Sequence, residues 1–451
     1  MTLLSQFLIT LLPLPLSPLL NSCRDPRWGR CQETYGEDPI LSAFMAFSYV
    51  RGLQNGSGLI NPELVSACKH YDVHGGPEGN GRQTRFEMKV TTTPRDWHQT
   101  FLPAFDSCIQ AGAGGVMCSY SAVRFEDNAT AVPSCANRVM LDHLRLRMGM
   151  KGYVVSDCGA LKFIYNPQHY VNSELAAAVA AINAGTDMEC DCCGFGPVFP
   201  HLTEAVEKGL VDESRVDEAL TRVLTSRMML GALDPPEDSP YSGINASEIE
   251  SASHIALARE AAEKTLVLLQ NNNDILPLSS SSPIHLCVFG PNANCTACLL
   301  GDYSPRPSYV VSILEGIQKR APTGMRIDYL AGCSSNACPS FDSQKVSALA
   351  ATCDVNLVVL GLTAENACGV CQSGGSWVEG ECCDRFDTKL PGQQLPLLQA
   401  VERASPSHTV LLTINGGMVD LAWPKANVAG IFQWVYPSQV GRRLSLCLEF
   451  G

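Results

Sequence analysis

The stretch GYVVSDCGA, Gly152 to Ala160, sets a run of strand-forming residues directly against an aspartate, after which Cys158 and Gly159 turn the chain. Tyr153, Val154 and Val155 are aromatic or β-branched, the types that fit a pleated surface. An apolar run without polar alternation fits a strand covered on both faces, as in a parallel sheet. In parallel βα proteins function collects at the carboxyl ends of the strands, where Asp157 would stand. A carboxylate there is costly to bury unless it is hydrogen-bonded or used. By spacing alone two roles stay open for Asp157: a working carboxylate, or the N-cap of the next helix.

Outward from that stretch, residues 23–231 alternate short apolar runs with helical periodicity. Pro39–Leu53 and Ser173–Gly185 read as helices and Gly114–Tyr120 as a strand, a βα series that points to a parallel sheet or barrel. LDPPEDSPYSGINAS, Leu233 to Ser247, is rich in Pro, Ser, Gly and acids and reads as a linker, placed at 232–253. A second βα series occupies 254–451. It opens with a helix-like run from His254 to Gln270. Strand-like runs follow at His285–Gly290, Val355–Leu362, His408–Gly416 and Val428–Tyr436. At 451 residues the chain exceeds one hydrophobic core, so two or three domains are expected from length alone. The remaining stretch, 1–22, is apolar. It reads either as a signal peptide or as a non-native leader, since Pro13, Pro15 and Pro18 interrupt the segment that should be helical.

Charge narrows the partners. Against 45 acidic residues stand 32 Lys and Arg, a net −13, with no basic cluster. That argues against nucleic acid and anionic membrane, which reward cationic patches, and beyond residues 1–22 no apolar run is long and uninterrupted enough to span a bilayer. An uncharged ligand such as a sugar fits this surface. The 21 cysteines and the sequons at Asn55, Asn128, Asn245 and Asn294 favour the secretory pathway, with a secreted or lysosomal destination. An odd cysteine count leaves at least one thiol outside intrachain pairs.

Three further segments carry chemistry. RDPRWGRCQETYGEDP, Arg24 to Pro39, is a structured loop offering Arg27, Arg30 and Glu33. ACKHYDVHGGPEG, Ala67 to Gly79, offers Lys69 beside His70. Neighbours on a strand point to opposite faces, so both serve one ligand only if the strand ends there. The spacing of His70 and His74 lacks a third ligand for zinc. Cys192/Cys193, Cys368/Cys371 and Cys382/Cys383 have no matching second pair, so disulfides or thiols are favoured over metal. VEGECCDRFDTKLPGQQ, Val378 to Gln394, is an acidic loop bounded by Gly and Pro. A carboxylate from each of two segments is what glycoside hydrolysis needs, one to attack the anomeric carbon and one to protonate the leaving oxygen.

In order along the chain, RDPRWGR with GEDP, KHY, GGVMCSY, PSCAN, GYVVSDCGA, the LGALDPPEDSPYSGI linker, LAREAAEKTLVLLQN, FGPNAN and LPGQQ together resemble glycoside hydrolase family 3. The β-xylosidase-like branch is the nearest match. The resemblance implies a (β/α) barrel followed by a six-stranded α/β sandwich, with the active site between them. It implies a retaining double displacement on terminal β-D-xylosyl, β-D-glucosyl or α-L-arabinosyl residues of an oligosaccharide or glycoside, with neither cofactor nor metal. Carried over by motif, Asp157 is the nucleophile, and Lys69, His70, Arg30 and Tyr120 bind the sugar. Glu381, in E-x-x-D-R, is the acid/base ahead of Asp384, with Glu379 as the alternative. Lys69 and Arg30 would keep Asp157 ionised, while less polar surroundings would raise the pKa of Glu381. Family members carry several βα units before the RDPRWGR loop, including an aspartate that grips distal hydroxyls. Here twenty-two residues precede Cys23, so the expected fold is a barrel lacking its first units, with open edges. Ser121 stands where the family usually has Asn, and the chain ends at CLEFG, before a further family segment. A carbohydrate-binding relative without catalysis is the second reading. A dinucleotide enzyme is disfavoured because no G-x-G-x-x-G follows a strand.

Overall fold

The computed structural model describes residues 16–54, 62–78, 83–126, 130–191, 194–278, 284–364 and 378–439. The chain divides into two compact units, Met1–Asp25 with Thr34–Ile244, and Pro26–Glu33 with Asn245–Gly451. The division thus falls inside 232–253. Pro26–Glu33, which the sequence reading set within 23–231, clusters instead with the second unit. Asn55, Asn128, Cys192, Cys193, Cys368 and Cys371 lie outside the described residues. Among those described, no helix is long and apolar enough to cross a membrane.

In the first unit the strands are β1 (Ala67–Tyr71), β2 (Lys89–Thr92), β3 (Gly115–Cys118), β4 (Ala122–Phe125), β5 (Val132–Pro133) and β6 (Tyr153–Ser156). Parallel pairing orders β1-β3-β6 in one sheet, and β2-β4-β5 form a second, smaller sheet. β3 and β6 are wholly buried, as their unbroken apolar runs require. Helix α1 (Pro39–Leu53) is capped by Asp38, whose carboxylate accepts from the Ile40 and Leu41 amides. It packs on α2 (Leu102–Gln110), yet Ile40, Leu41, Phe44, Met45 and Phe47 stay exposed on its other side. After β6 come α3 (Ala160–Tyr165), α4 (Glu174–Ala184), held between Ser173 and Gly185, and α5 (Glu213–Met229). Beneath β6, the buried Asp187 carboxylate accepts from the Val154 amide and from Arg145, Arg215 and Arg222. Four donors on one carboxylate satisfy a charge that would be costly alone.

The last residues of the stretch read as a leader are built into this unit. Leu20 N donates to Lys69 O, Lys69 N donates to Pro18 O, and Leu19 to Ser22 are buried. Proline at 18 suits a carbonyl-only contact at a strand edge, since that position needs no N–H.

The second unit holds α6 (Ala252–Lys264), β7 (Leu266–Asn271), β8 (His285–Phe289), α7 (Ile313–Arg320), β9 (Arg326–Leu330), α8 (Ser343–Ala350), β10 (Val355–Gly361), β11 (Thr363–Ala364), β12 (Val378–Glu379), α9 (Gln394–Ala404), β13 (Thr409–Ile414) and β14 (Gly430–Trp434). Six strands form one sheet in the order β7-β14-β13-β10-β8-β9, parallel except for β7. Alternation along the strands splits the core. Leu286, Val288, Leu357, Val359, Val410 and Leu412 face α7, while Phe289, Val358, Leu360, Leu411 and Ile431 face α8 and α9. The helix expected over His254–Gln270 stops at Lys264, and Leu266 to Asn271 pairs antiparallel with β14. Leucines favour helix, and no Gly or Pro marks the break, so only the sheet edge reveals it. β9 was not anticipated; its Arg326 and Asp328 suit the polar edge position it takes.

Candidate functional site

In the first unit, the carboxyl ends of β1, β3 and β6 bring together His70, Tyr120 and Asp157. Asp157 follows the last residue of β6, and its amide donates to Cys118 O at the end of β3. Oδ1 accepts from Cys158 N at 2.8 Å, and Oδ2 lies 3.5 Å from His70 Nε2. The capping position of α3 belongs to Gly159 at φ 78°, so Asp157 is not that helix's N-cap. Gly159 is the residue such a backbone requires, and a Cβ there would meet the Phe195 ring at 2.5 Å.

Asn21 fixes the histidine. Its Nδ2 donates to His70 O, which turns Oδ1 toward His70 N at 2.9 Å and Nδ1 at 3.0 Å. Nδ1 therefore carries a hydrogen and Nε2 is the nitrogen presented to Asp157. Lys69, half-buried beside it, sits where the register of β1 against β3 becomes irregular. That irregularity lets neighbouring residues leave strict alternation. Tyr120 donates its hydroxyl to Cys158 O at 2.8 Å and so braces the turn after Asp157. Cys158 is bonded to Cys190, and Cys118 to Cys135, on either side of the same turn. Glu189 holds the following loop by accepting from the Val198 and Phe199 amides. Burial pushes its carboxyl up to about 7.

The second unit carries its own cluster. Pro26–Glu33 ends in a short turn of helix, Gly29–Glu33. Gly29 N donates to Asp384 Oδ1, and Arg385 N donates to Arg27 O. Arg30 is buried, with its guanidinium 2.6 Å from Glu33 Oε1 and 3.3 Å from Glu381 Oε1. The Tyr303 hydroxyl donates to Glu381 Oε2, and the Glu381 amide donates to Asp302 Oδ2 at 2.6 Å. Burial, then the Glu381 charge, raise the Tyr303 hydroxyl far above the ordinary tyrosine range. Burial also lifts Asp302 to about 6. The expectation of less polar surroundings for Glu381 is thus corrected: it lies between a guanidinium and a phenol. Arg30, expected to serve Asp157, has Glu33 and Glu381 as its carboxylate partners.

Glu379 differs from Glu381. It is fully buried, accepts from Gly416 N, Gly417 N and the Tyr436 hydroxyl, and ties β12 to the carboxyl ends of β13 and β14. Desolvation raises its pKa against those hydrogen bonds. Its oxygens are occupied in holding the loop that presents Glu381.

Asn21, Asp302 and Tyr303 were not singled out from sequence. Asn21 stands in the stretch read as leader, and Asp302-Tyr303 only in the pattern G-D-Y-S-P, an acid and an aromatic bounded by turn residues.

Hydrogen-bonded carboxylates and cations at the carboxyl ends of parallel strands are how α/β proteins build ligand sites. Comparison with known proteins agrees in both units. The glycosyl hydrolase family 3 N terminal domain matches residues 10–226 and the family 3 C-terminal domain matches 266–448. The chain belongs to glycoside hydrolase family 3. It is 34% identical over 443 residues to beta-xylosidase/alpha-L-arabinofuranosidase 1 of Medicago sativa subsp. varia, covering 96% of this chain and 54% of that protein. With beta-D-xylosidase 1 of Arabidopsis thaliana the identity is 35%, over 96% of this chain and 53% of the relative. Among solved structures, a family 3 exo-beta-xylosidase (XlnD) in complex with a xylobiose aziridine activity based probe superposes at TM-score 0.82. Its identity is 31%, over 94% of this chain and 52% of that one. The chain spans about half the length of the curated relatives it matches.

Proposed function

We propose that the protein is a retaining β-glycosidase that releases terminal β-D-xylosyl residues, with β-D-glucosyl and α-L-arabinosyl residues as further glycones. Asp157 would attack the anomeric carbon while Glu381 protonates the leaving oxygen. Glu381 would then draw a proton from the water that cleaves the glycosyl-enzyme. Asn21 keeps His70 Nε2 directed at Asp157, and Tyr303 and Arg30 hold Glu381. Lys69, His70, Arg30 and Tyr120 are assigned to the sugar's hydroxyls by the motif match, which the relatives' names support for xylosides.

The observation that carries this reading is the Asp157 carboxylate at the end of a buried strand, held on one oxygen by an amide and faced on the other by an oriented imidazole. The β1-β3-β6 sheet, together with the exposed apolar side of α1, supports the first unit as an arc of a (β/α) barrel lacking its first units. Disulfides in both units and the exposed sequons Asn245 and Asn294 support passage through the secretory pathway.

The test is release of 4-nitrophenol from 4-nitrophenyl β-D-xyloside by the full chain and by Asp157→Ala. The substitution is expected to remove at least about 10³-fold of turnover, because no covalent intermediate can form. Near-normal turnover by the variant would overturn the assignment. A wild-type chain that binds xylo-oligosaccharide in a calorimeter without hydrolysing it would favour the non-catalytic reading.

A further inference from the structure

At the opposite, amino-terminal end of the second unit's parallel strands lies a group of soft and hard donors outside the machinery described above. His285 opens β8, and Cys287 follows two residues later on the same face. Asp328 sits on β9 in register with Cys287. Cys353 lies two residues before Val355, the first residue of β10, which pairs with Leu286. Ligand atoms of His285, Cys287 and Cys353 all lie within 4.8 Å of one another. His285 Nε2 is 3.8 Å from Cys287 Sγ, 3.9 Å from Cys353 Sγ and 2.8 Å from Asp328 Oδ2.

The imidazole is already oriented. Nδ1 stands 2.9 Å from Thr352 O, an acceptor only, so Nδ1 must donate. Nε2 is then the nitrogen turned toward the two sulfurs and the carboxylate. Metal-ligating histidines are held the same way, with the second ring nitrogen donating to a carbonyl or carboxylate. Zn–S distances of about 2.3 Å and Zn–N distances of about 2.0–2.1 Å put tetrahedral S···N edges near ~3.6 Å, close to the spacing seen here. The side chains of His285 and Asp328 are 14% and 32% exposed, so an ion can enter from one side, whereas both cysteines are buried.

In the structure Cys287 and Cys353 are joined as a disulfide, and a disulfide is no thiolate donor. We propose that His285, Cys287, Asp328 and Cys353 form a binding site for a thiophilic divalent cation of the zinc class, closed by the disulfide and opened by its reduction. Opening needs a dithiol as reductant. The dithiol passes two electrons and two protons to the S–S bond, leaving two cysteine thiols and its own disulfide. Cation binding then displaces both thiol protons and any proton on His285 Nε2, to water. Arg326, 2.7 Å from Asp328 Oδ2, shares that carboxylate in the closed state and would have to yield an oxygen. β8 and the residues leading into β10 are thus stapled covalently in oxidising surroundings, and a cation would join them to β9 in reducing ones.

The test uses the full chain, reduced with a dithiol, freed of reductant without air, and titrated with Co²⁺ as the spectroscopic stand-in for Zn²⁺. The expected result is one equivalent of cobalt with the strong visible bands of tetrahedral thiolate coordination, displaced by Zn²⁺, and absent when the disulfide is intact. Cys353→Ser should abolish those bands. Asp328→Asn, a mild change at a partly exposed position, should weaken binding at least ~10-fold while the chain stays folded. If the reduced chain shows no such bands, or if they persist unchanged in Cys353→Ser and Asp328→Asn because other reduced cysteines supply them, the proposal is overturned.

Discussion

Replacing Asp72 by Asn should remove one source of the first unit's loss of stability as pH rises. Asp72 follows β1, is fully buried, and accepts on Oδ2 from Trp97 Nε1 at 2.5 Å. Its Oδ1 meets no donor among the described residues. Burial, only partly opposed by the Trp97 hydrogen bond, lifts the carboxyl from its ordinary 3.8 to about 7. A carboxyl whose pKa is raised by folding favours the folded state while protonated. Its contribution is whole below pH 3.8 and is lost as pH rises through about 7. Integrated over those two values, the loss is on the order of 4 kcal/mol above pH 8, of which roughly 2–3 kcal/mol falls between pH 5 and pH 8. Asparagine never ionises. Its oxygen can still accept from Trp97, while its Nδ2 is left without an acceptor at a fixed penalty of about 1–3 kcal/mol. The informative quantity is therefore the change in the mutant-minus-wild-type difference with pH, because the fixed penalty cancels. Urea melts followed by tryptophan fluorescence at pH 5 and pH 8 should show the variant gaining roughly 2–3 kcal/mol on wild type between the two. Profiles parallel within about 0.5 kcal/mol would mean Asp72 does not titrate as a buried acid, and the reasoning would fail.

The two glutamates of the acidic loop should separate by phenotype. Glu381→Ala should cripple hydrolysis of xylobiose yet largely spare the first step on an activated aryl xyloside, with azide restoring turnover, since a good leaving group departs unprotonated. Glu379→Ala should instead cost at least ~2 kcal/mol of stability in calorimetry by stranding two amides and a phenol, and azide should not help it. If the azide pattern follows Glu379, the roles are exchanged. Asp187→Ala leaves Arg145, Arg215 and Arg222 facing one another and should destabilise the first unit by about 3–5 kcal/mol, read from the same melts.

Much of this was legible in the sequence where one residue type serves one purpose. The run into Asp157 predicted a buried strand with a carboxylate at its end, because apolar continuity and the following Gly159 are local properties. The strands of the second unit showed for the same reason. Partnerships made across the chain did not show. Nothing local to Asn21 says that it orients His70, 49 positions away. Nothing in Asp302-Tyr303 announces Glu381, 78 positions beyond Tyr303. Whether Glu379 or Glu381 is tied down depends on the Gly416 and Gly417 amides, which only the sheet brings near. The environment of Glu381 was misjudged because an acidic loop says nothing of the cation buried beneath it.

The attachment of Pro26–Glu33 to the second unit has a consequence for how the protein is made. Arg30 and Glu381 are separated by 351 positions. At ribosomal rates of about 5–20 residues per second, Arg30 waits roughly 20–70 s for that carboxylate to be synthesised. During the wait a guanidinium destined for full burial has Glu33 as its neighbour on the same short turn, and the emerging first unit must fold around a loop that it does not keep. The second unit, for its part, cannot be completed from its own contiguous stretch, since the segment that pins Asp384, Arg385 and Glu381 was translated first.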